Sequence, residues 1–65
     1  MTLREFLSVS NDKLSDFTDG ETLQFHGGAT FQYCEKKNRW HLIGSKQHVP
    51  SLEPFLDISV IGCNK

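Results

Sequence analysis

The chain has 65 residues, 37% of them hydrophobic and 23% charged, enough for a single domain spanning 1–65 and too little to enclose a large internal active site. Seven Lys and Arg against eight Asp and Glu leave a net charge of −1, which excludes both a strongly basic nucleic-acid binder and a strongly acidic DNA mimic. No run nears the ~18–20 apolar residues of a membrane span, no secretory signal opens the chain, and two cysteines are too few for a secreted disulfide scaffold. The expectation is a soluble protein of the cytoplasm.

At the start, Thr2 and Glu5 stand three apart in the capping-box pattern, ahead of Leu3, Phe6 and Leu7 at helical spacing. They predict a short amphipathic helix from Leu3 to Val9. The stretch from Ser10 to Gly20 is polar, with Leu14 and Phe17 as its apolar anchors, and reads as a loop with one helical turn. Strand alternation begins at Glu21, where Leu23 and Phe25 interleave with Gln24 and His26, and it ends at Gly27-Gly28, a pair suited to a tight turn.

Ala29–Glu35 alternates again, Lys36-Lys37-Asn38-Arg39 interrupts it, and Trp40–Gly44 resumes it, so this region predicts a hairpin. An even loop pairs Glu35 with Trp40, Cys34 with His41 and Tyr33 with Leu42. It places Phe31, Tyr33, Trp40 and Leu42 on one face and Cys34, His41 and Ile43 on the other. Ser45–Val49 is polar, and Ser51–Leu56 forms one capped turn in which Pro54 is tolerated because a first-turn amide has no intrahelical partner. Asp57–Cys63 is the last predicted strand. Ile58 and Val60 fall on one face and Ile61 and Cys63 on the other, the pattern of an interior strand or an oligomer edge. The expected fold is α+β, a short N-terminal helix packed on a small antiparallel sheet of about four strands.

The opening Met1-Thr2-Leu3-Arg4-Glu5-Phe6-Leu7 and the tail Leu52-Glu53-Pro54-Phe55-Leu56-Asp57-Ile58-Ser59-Val60-Ile61 resemble small accessory proteins encoded by phages and prophages of Gram-positive bacteria. That resemblance implies a short helix followed by a small antiparallel sheet. It also implies a role in modulating or inhibiting a host protein, in some members one of bacterial immunity. It supplies no catalytic residue.

Charge is segregated along the chain. Met1–Thr30 holds five acids against two bases, and Phe31–Lys65 holds five bases against three acids. The cations Lys36, Lys37, Arg39 and Lys46 are the candidate binding residues, by steering of a partner or by contact with phosphates. His26, Cys34, His41, His48 and Cys63 are potential metal ligands, but no C-x-x-C or H-x-x-x-H element organises them into a zinc site, so no metal and no cofactor is expected. A nucleophilic pair of Cys34 and His41 lacks an oxyanion site and a pocket, and Asp12, Asp16, Asp19 and Glu21 lack the spacing of a calcium loop. The sequence therefore points to a non-enzymatic protein-interaction module acting on a host protein. The alternative is a small nucleic-acid-binding domain that uses the basic hairpin tip, with Tyr33 and Trp40 as its nearest aromatics.

Overall fold

The computed structural model describes residues 1–64. Helix α1 (Leu3–Ser10) leads through a 3-10 turn at Leu14–Asp16 into strands β1 (Thr22–Phe25), β2 (Thr30–Cys34), β3 (Arg39–Leu42) and β4 (His48–Val49). A second 3-10 turn at Glu53–Phe55 then precedes β5 (Val60–Asn64). The strands form one antiparallel sheet in the order β4-β3-β2-β1-β5. Alternate residues Leu23, Phe25, Phe31 and Trp40 are buried on one face of it, together with Leu3, Phe17 and Leu52 from the segments that cover that face. This is the α+β architecture expected of the alternation, with one strand more.

Eight residues make a marginal helix in isolation, and α1 is held by its first turn. The Glu5 N–H donates to Thr2 Oγ1 (3.2 Å) and the Thr2 N–H donates to Glu5 Oε1 (2.9 Å), closing the capping box. The remaining first-turn amides find carbonyls far along the chain: Leu3 N–H donates to Ile58 O (3.0 Å) and Arg4 N–H to Leu56 O (2.9 Å). The two amides of the helix start that the capping box leaves unpaired thus tie the N-terminus to the chain just before β5. The Val60 N–H adds a bond to Met1 O (2.7 Å), and an exposed Arg4–Asp57 ion pair (3.3 Å) spans the same junction.

In the β2–β3 hairpin the faces fall as predicted, but the register lies two residues away. Tyr33 pairs with Trp40, Cys34 with Arg39, Gln32 with His41 and Phe31 with Leu42. The cause is a four-residue turn at 35–38, one position earlier than the cation run suggested. Asn38 takes a left-handed conformation (φ 51°), which asparagine tolerates better than most residues. Its N–H donates to Glu35 O (3.1 Å), and its Oδ1 accepts from the Tyr33 hydroxyl (2.7 Å). Because a slip of two residues preserves parity, Phe31, Tyr33, Trp40 and Leu42 still share the core face. Cys34 and His41, however, no longer stand opposite each other.

Two further differences have local causes. The polar stretch 45–49 contributes β4, a two-residue strand too short to show alternation, which pairs Trp40 with Val49 and His41 with His48. At the other end β5 is an edge strand, not an interior one, and it is bonded to β1 with a register break: Gln24 pairs with Gly62 but Phe25 with Val60. The extra residue, Ile61, shifts the parity of the strand. Val60 and Cys63 therefore pack against the core, while Ile58 and Ile61 are exposed, so the predicted division of the strand's apolar residues does not hold.

Trp40 is 2% exposed, with the Phe17 ring edge-on at 5.0 Å and the Tyr33 ring at 5.2 Å. Replacement of Trp40 by Ala is expected to cost about 3–5 kcal/mol, read as a fall in the denaturant midpoint; an unchanged midpoint would mean that the indole is not packed. The cap also predicts a pH effect. The hydrogen bonds from the Thr2 backbone and hydroxyl hold the Glu5 carboxyl below its ordinary range. Its contribution is therefore complete above the unfolded value, about 4.3, and is lost as pH falls through the lower folded value. Thermal melts of wild type and Glu5→Gln should differ at pH 6 and converge on acidification, and a constant gap across that window would refute the linkage.

Candidate functional site

The turn at 35–38 carries Lys36 and Lys37 exposed at its tip, and Arg39, also exposed, opens β3 beside them. Lys46 lies in the turn joining β3 to β4, at the opposite end of β3, so three of the four candidate cations gather and the fourth stands apart. Among the described residues no carboxylate forms an ion pair with Lys36, Lys37, Arg39 or Lys46. The tip is thus a projection whose three cations form no ion pair, although Glu35 opens the turn; it is fixed at its base by the Tyr33–Asn38 hydrogen bond and by the Glu35 N–H, which donates to Asp19 Oδ1 (2.9 Å).

Beside that base lies a cavity of about 510 Å³. Leu7 of α1, Leu14, Tyr33, Trp40 and Leu56 give it apolar walls; Asp12, Lys13, Ser15, Ser51 and Glu53 line it with polar groups, and Asn38 joins it to the tip. Its volume falls within the range of sites that take a small molecule or one or two side chains of a partner. Apolar walls with charges close by are the arrangement found around interface anchors. The cavity lies where α1, the two 3-10 turns and the β2–β3 end of the core face meet. Nothing in the sequence pattern marks it, since its walls come from five separate segments.

The acidic loop is committed to structure. Asp16 Oδ2 accepts from Lys13 N–H (2.9 Å), Glu21 Oε1 accepts from Thr18 N–H (2.5 Å), and Asp19 receives the Glu35 amide. The loop then joins β2 through Gly20 N–H to Tyr33 O (3.0 Å) and Tyr33 N–H to Glu21 O (2.9 Å).

The face of the sheet away from the core carries His48, His41, Gln32 and Thr22 in one cross-strand row. The His41 and His48 rings stack with centroids 4.6 Å apart and planes 20° from parallel. Cys34 pairs with Arg39, which removes the direct Cys34–His41 juxtaposition on which a nucleophilic reading depended. Cys34 and Cys63 are half-buried thiols on β2 and β5, strands that β1 separates. No group of three or more His, Cys, Asp or Glu side chains converges as a metal site among the described residues. Among those residues no helix is long and apolar enough to cross a membrane.

Comparison with known proteins brings no match: no family model, curated protein or solved structure matches the chain. The geometry of the tip and cavity is therefore the basis of a functional reading. Tyr33→Phe should leave the ring in place and remove only its bond to Asn38, costing ~0.5–1.5 kcal/mol and loosening the tip. Hydrogen exchange at residues 35–38 should accelerate while exchange in β1 stays unchanged; equal acceleration in the turn and in β1 would show that the bond does not act locally.

Proposed function

We propose that the protein is a non-enzymatic protein-interaction module whose partner contacts the basic tip and inserts an apolar side chain into the adjoining cavity. The observation that carries this reading is the adjacency itself: Lys36, Lys37 and Arg39, outside any ion pair among the described residues, flank Asn38, which lines a cavity of about 510 Å³ with apolar walls. Cations at a rim accelerate encounter with an acidic surface, and a desolvated apolar anchor supplies affinity. The partner is then a protein whose contact surface presents an aliphatic or aromatic residue flanked by carboxylates. The likeness of the chain ends to phage accessory proteins makes that partner a cytoplasmic protein of a bacterial host, with modulation or inhibition as the outcome.

A nucleic-acid role for the tip has weaker support. Its nearest aromatics do not form a stacking platform: Trp40 is buried between Phe17 and Tyr33, and the Tyr33 hydroxyl is held by Asn38. The test is affinity capture from lysate of a Gram-positive host with and without nuclease, using wild type, the triple reversal Lys36→Glu, Lys37→Glu, Arg39→Glu, and the cavity-filling Ser15→Tyr. A protein captured by wild type, insensitive to nuclease, and lost with either variant meets the expectation. The triple reversal should slow its association at least about tenfold at low salt with an unchanged melting temperature. Capture abolished by nuclease, or unaffected by both variants, would overturn the reading.

A further inference from the structure

The cavity beside the tip is more selective than an apolar hollow. Its volume of about 510 Å³ admits an aromatic ring, whereas a valine or leucine side chain leaves much of it unfilled and forfeits the contacts of close packing. One wall is aromatic: Tyr33 is half-buried, its ring 5.2 Å from the Trp40 indole and tilted 59° to it. A further ring entering there joins an aromatic cluster, in which edge-on and offset pairs are favourable beyond the area they bury. Leu14 and Leu56 add aliphatic surface, while Ser15, Ser51 and Glu53 bring hydroxyl and carboxylate oxygens to the lining. The Glu53 carboxylate forms no ion pair among the described residues, and the Glu53 N–H donates to Ser51 Oγ (3.2 Å). A wholly hydrocarbon occupant takes water from these oxygens and returns no donor. A cationic occupant brings donors but stands beside Lys13, which also lines the cavity, and beside Asn38, whose chain neighbours are Lys37 and Arg39.

We propose that the occupant of the cavity is an uncharged aromatic side chain with a hydrogen-bond donor at its far end, the phenol of tyrosine or the indole of tryptophan, presented by the partner protein. This deepens the interaction reading, on which it rests, by narrowing the anchor from any apolar residue to one chemical class. The ring packs against Tyr33, Leu14 and Leu56, and its O–H or N–H donates to the Glu53 carboxylate. Carboxylates that flank the anchor on the partner then meet the cations of the tip. Tyrosine and tryptophan suit such a place because each delivers a large, rigid contact area with only two side-chain torsions to fix. Phenylalanine has the shape without the donor, and arginine has the donors with the wrong charge.

The experiment titrates the whole chain with p-cresol, the tyrosine side chain cut free, and follows the backbone amide resonances. Toluene, which lacks the hydroxyl, and n-butylguanidinium, which stands for arginine, are titrated in parallel. The amides of Leu14, Ser15, Ser51, Glu53 and Leu56 should shift saturably with p-cresol at a dissociation constant of about a millimolar, while those of β1 stay still. Toluene should bind about three- to tenfold more weakly, the worth of one hydrogen bond, and n-butylguanidinium no more tightly than toluene. Glu53→Leu should bring p-cresol and toluene together, and Ser15→Tyr should abolish both responses. Toluene equal to p-cresol, n-butylguanidinium tighter than either, or no saturable shift at the cavity would overturn the assignment, and these wild-type titrations decide it even if a variant fails to fold. Capture of a host protein without discrimination among the probes overturns the anchor and leaves the interaction reading standing. Discrimination without capture overturns the interaction reading, and the partner protein as the source of the ring falls with it.

Discussion

The rest of the structure depends on the burial of one side chain, the Trp40 indole. Phe17 meets it edge-on from the loop, Tyr33 flanks it from the neighbouring strand, and Val49 pairs with it across β4. Four segments distant in sequence are thereby fixed to one surface. A chain of 65 residues cannot build a second core, so burying this ring decides which face of the sheet is covered and which is left to solvent. The functional geometry follows from that choice. With Tyr33 and Trp40 committed to the covered face, Cys34, Arg39, His41 and His48 are placed on the other, and the Tyr33 hydroxyl is left to anchor the turn that carries the lysines.

The covering layer is economical. Helix α1 survives at eight residues because its unpaired amides bond to the chain at 56–58, so helix and final strand support each other. The second 3-10 turn then brings Phe55 against Phe25 and Phe31, with ring centroids 6.2 and 5.4 Å away. The cavity lies among these segments beside the hairpin end of the core face.

Much of this was legible in the residues, for identifiable reasons. The Thr2–Glu5 cap is local chemistry and appeared where the pattern put it. The alternation through Phe31, Tyr33, Trp40 and Leu42 named the core face because a period of two does not depend on register. Register itself did, and it was missed: the run Lys36–Arg39 marks polarity, whereas the turn is set by the left-handed Asn38 and its bond to Tyr33, a pairing that spacing does not announce. Strand β4 has too few residues for any pattern, and the break at Ile61 that turns Cys63 toward the core is a property of pairing with β1. The clustering of Lys36, Lys37 and Arg39 was legible as adjacency in sequence. The separation of Lys46, the cavity and the stacked histidines all required the fold.

Trp40 is the only tryptophan in the chain, so intrinsic fluorescence reports on it alone. Acrylamide quenching of the native protein, compared with the same protein in denaturant, is the most direct measure of whether the indole is enclosed. An indole held between Phe17 and Tyr33 predicts a blue-shifted native emission and a quenching constant several-fold below that of the unfolded chain, both unchanged by added single-stranded nucleic acid. Native quenching equal to that of the denatured protein would put Trp40 at the surface, reverse the assignment of the two faces, and contradict the account of core, tip and cavity together.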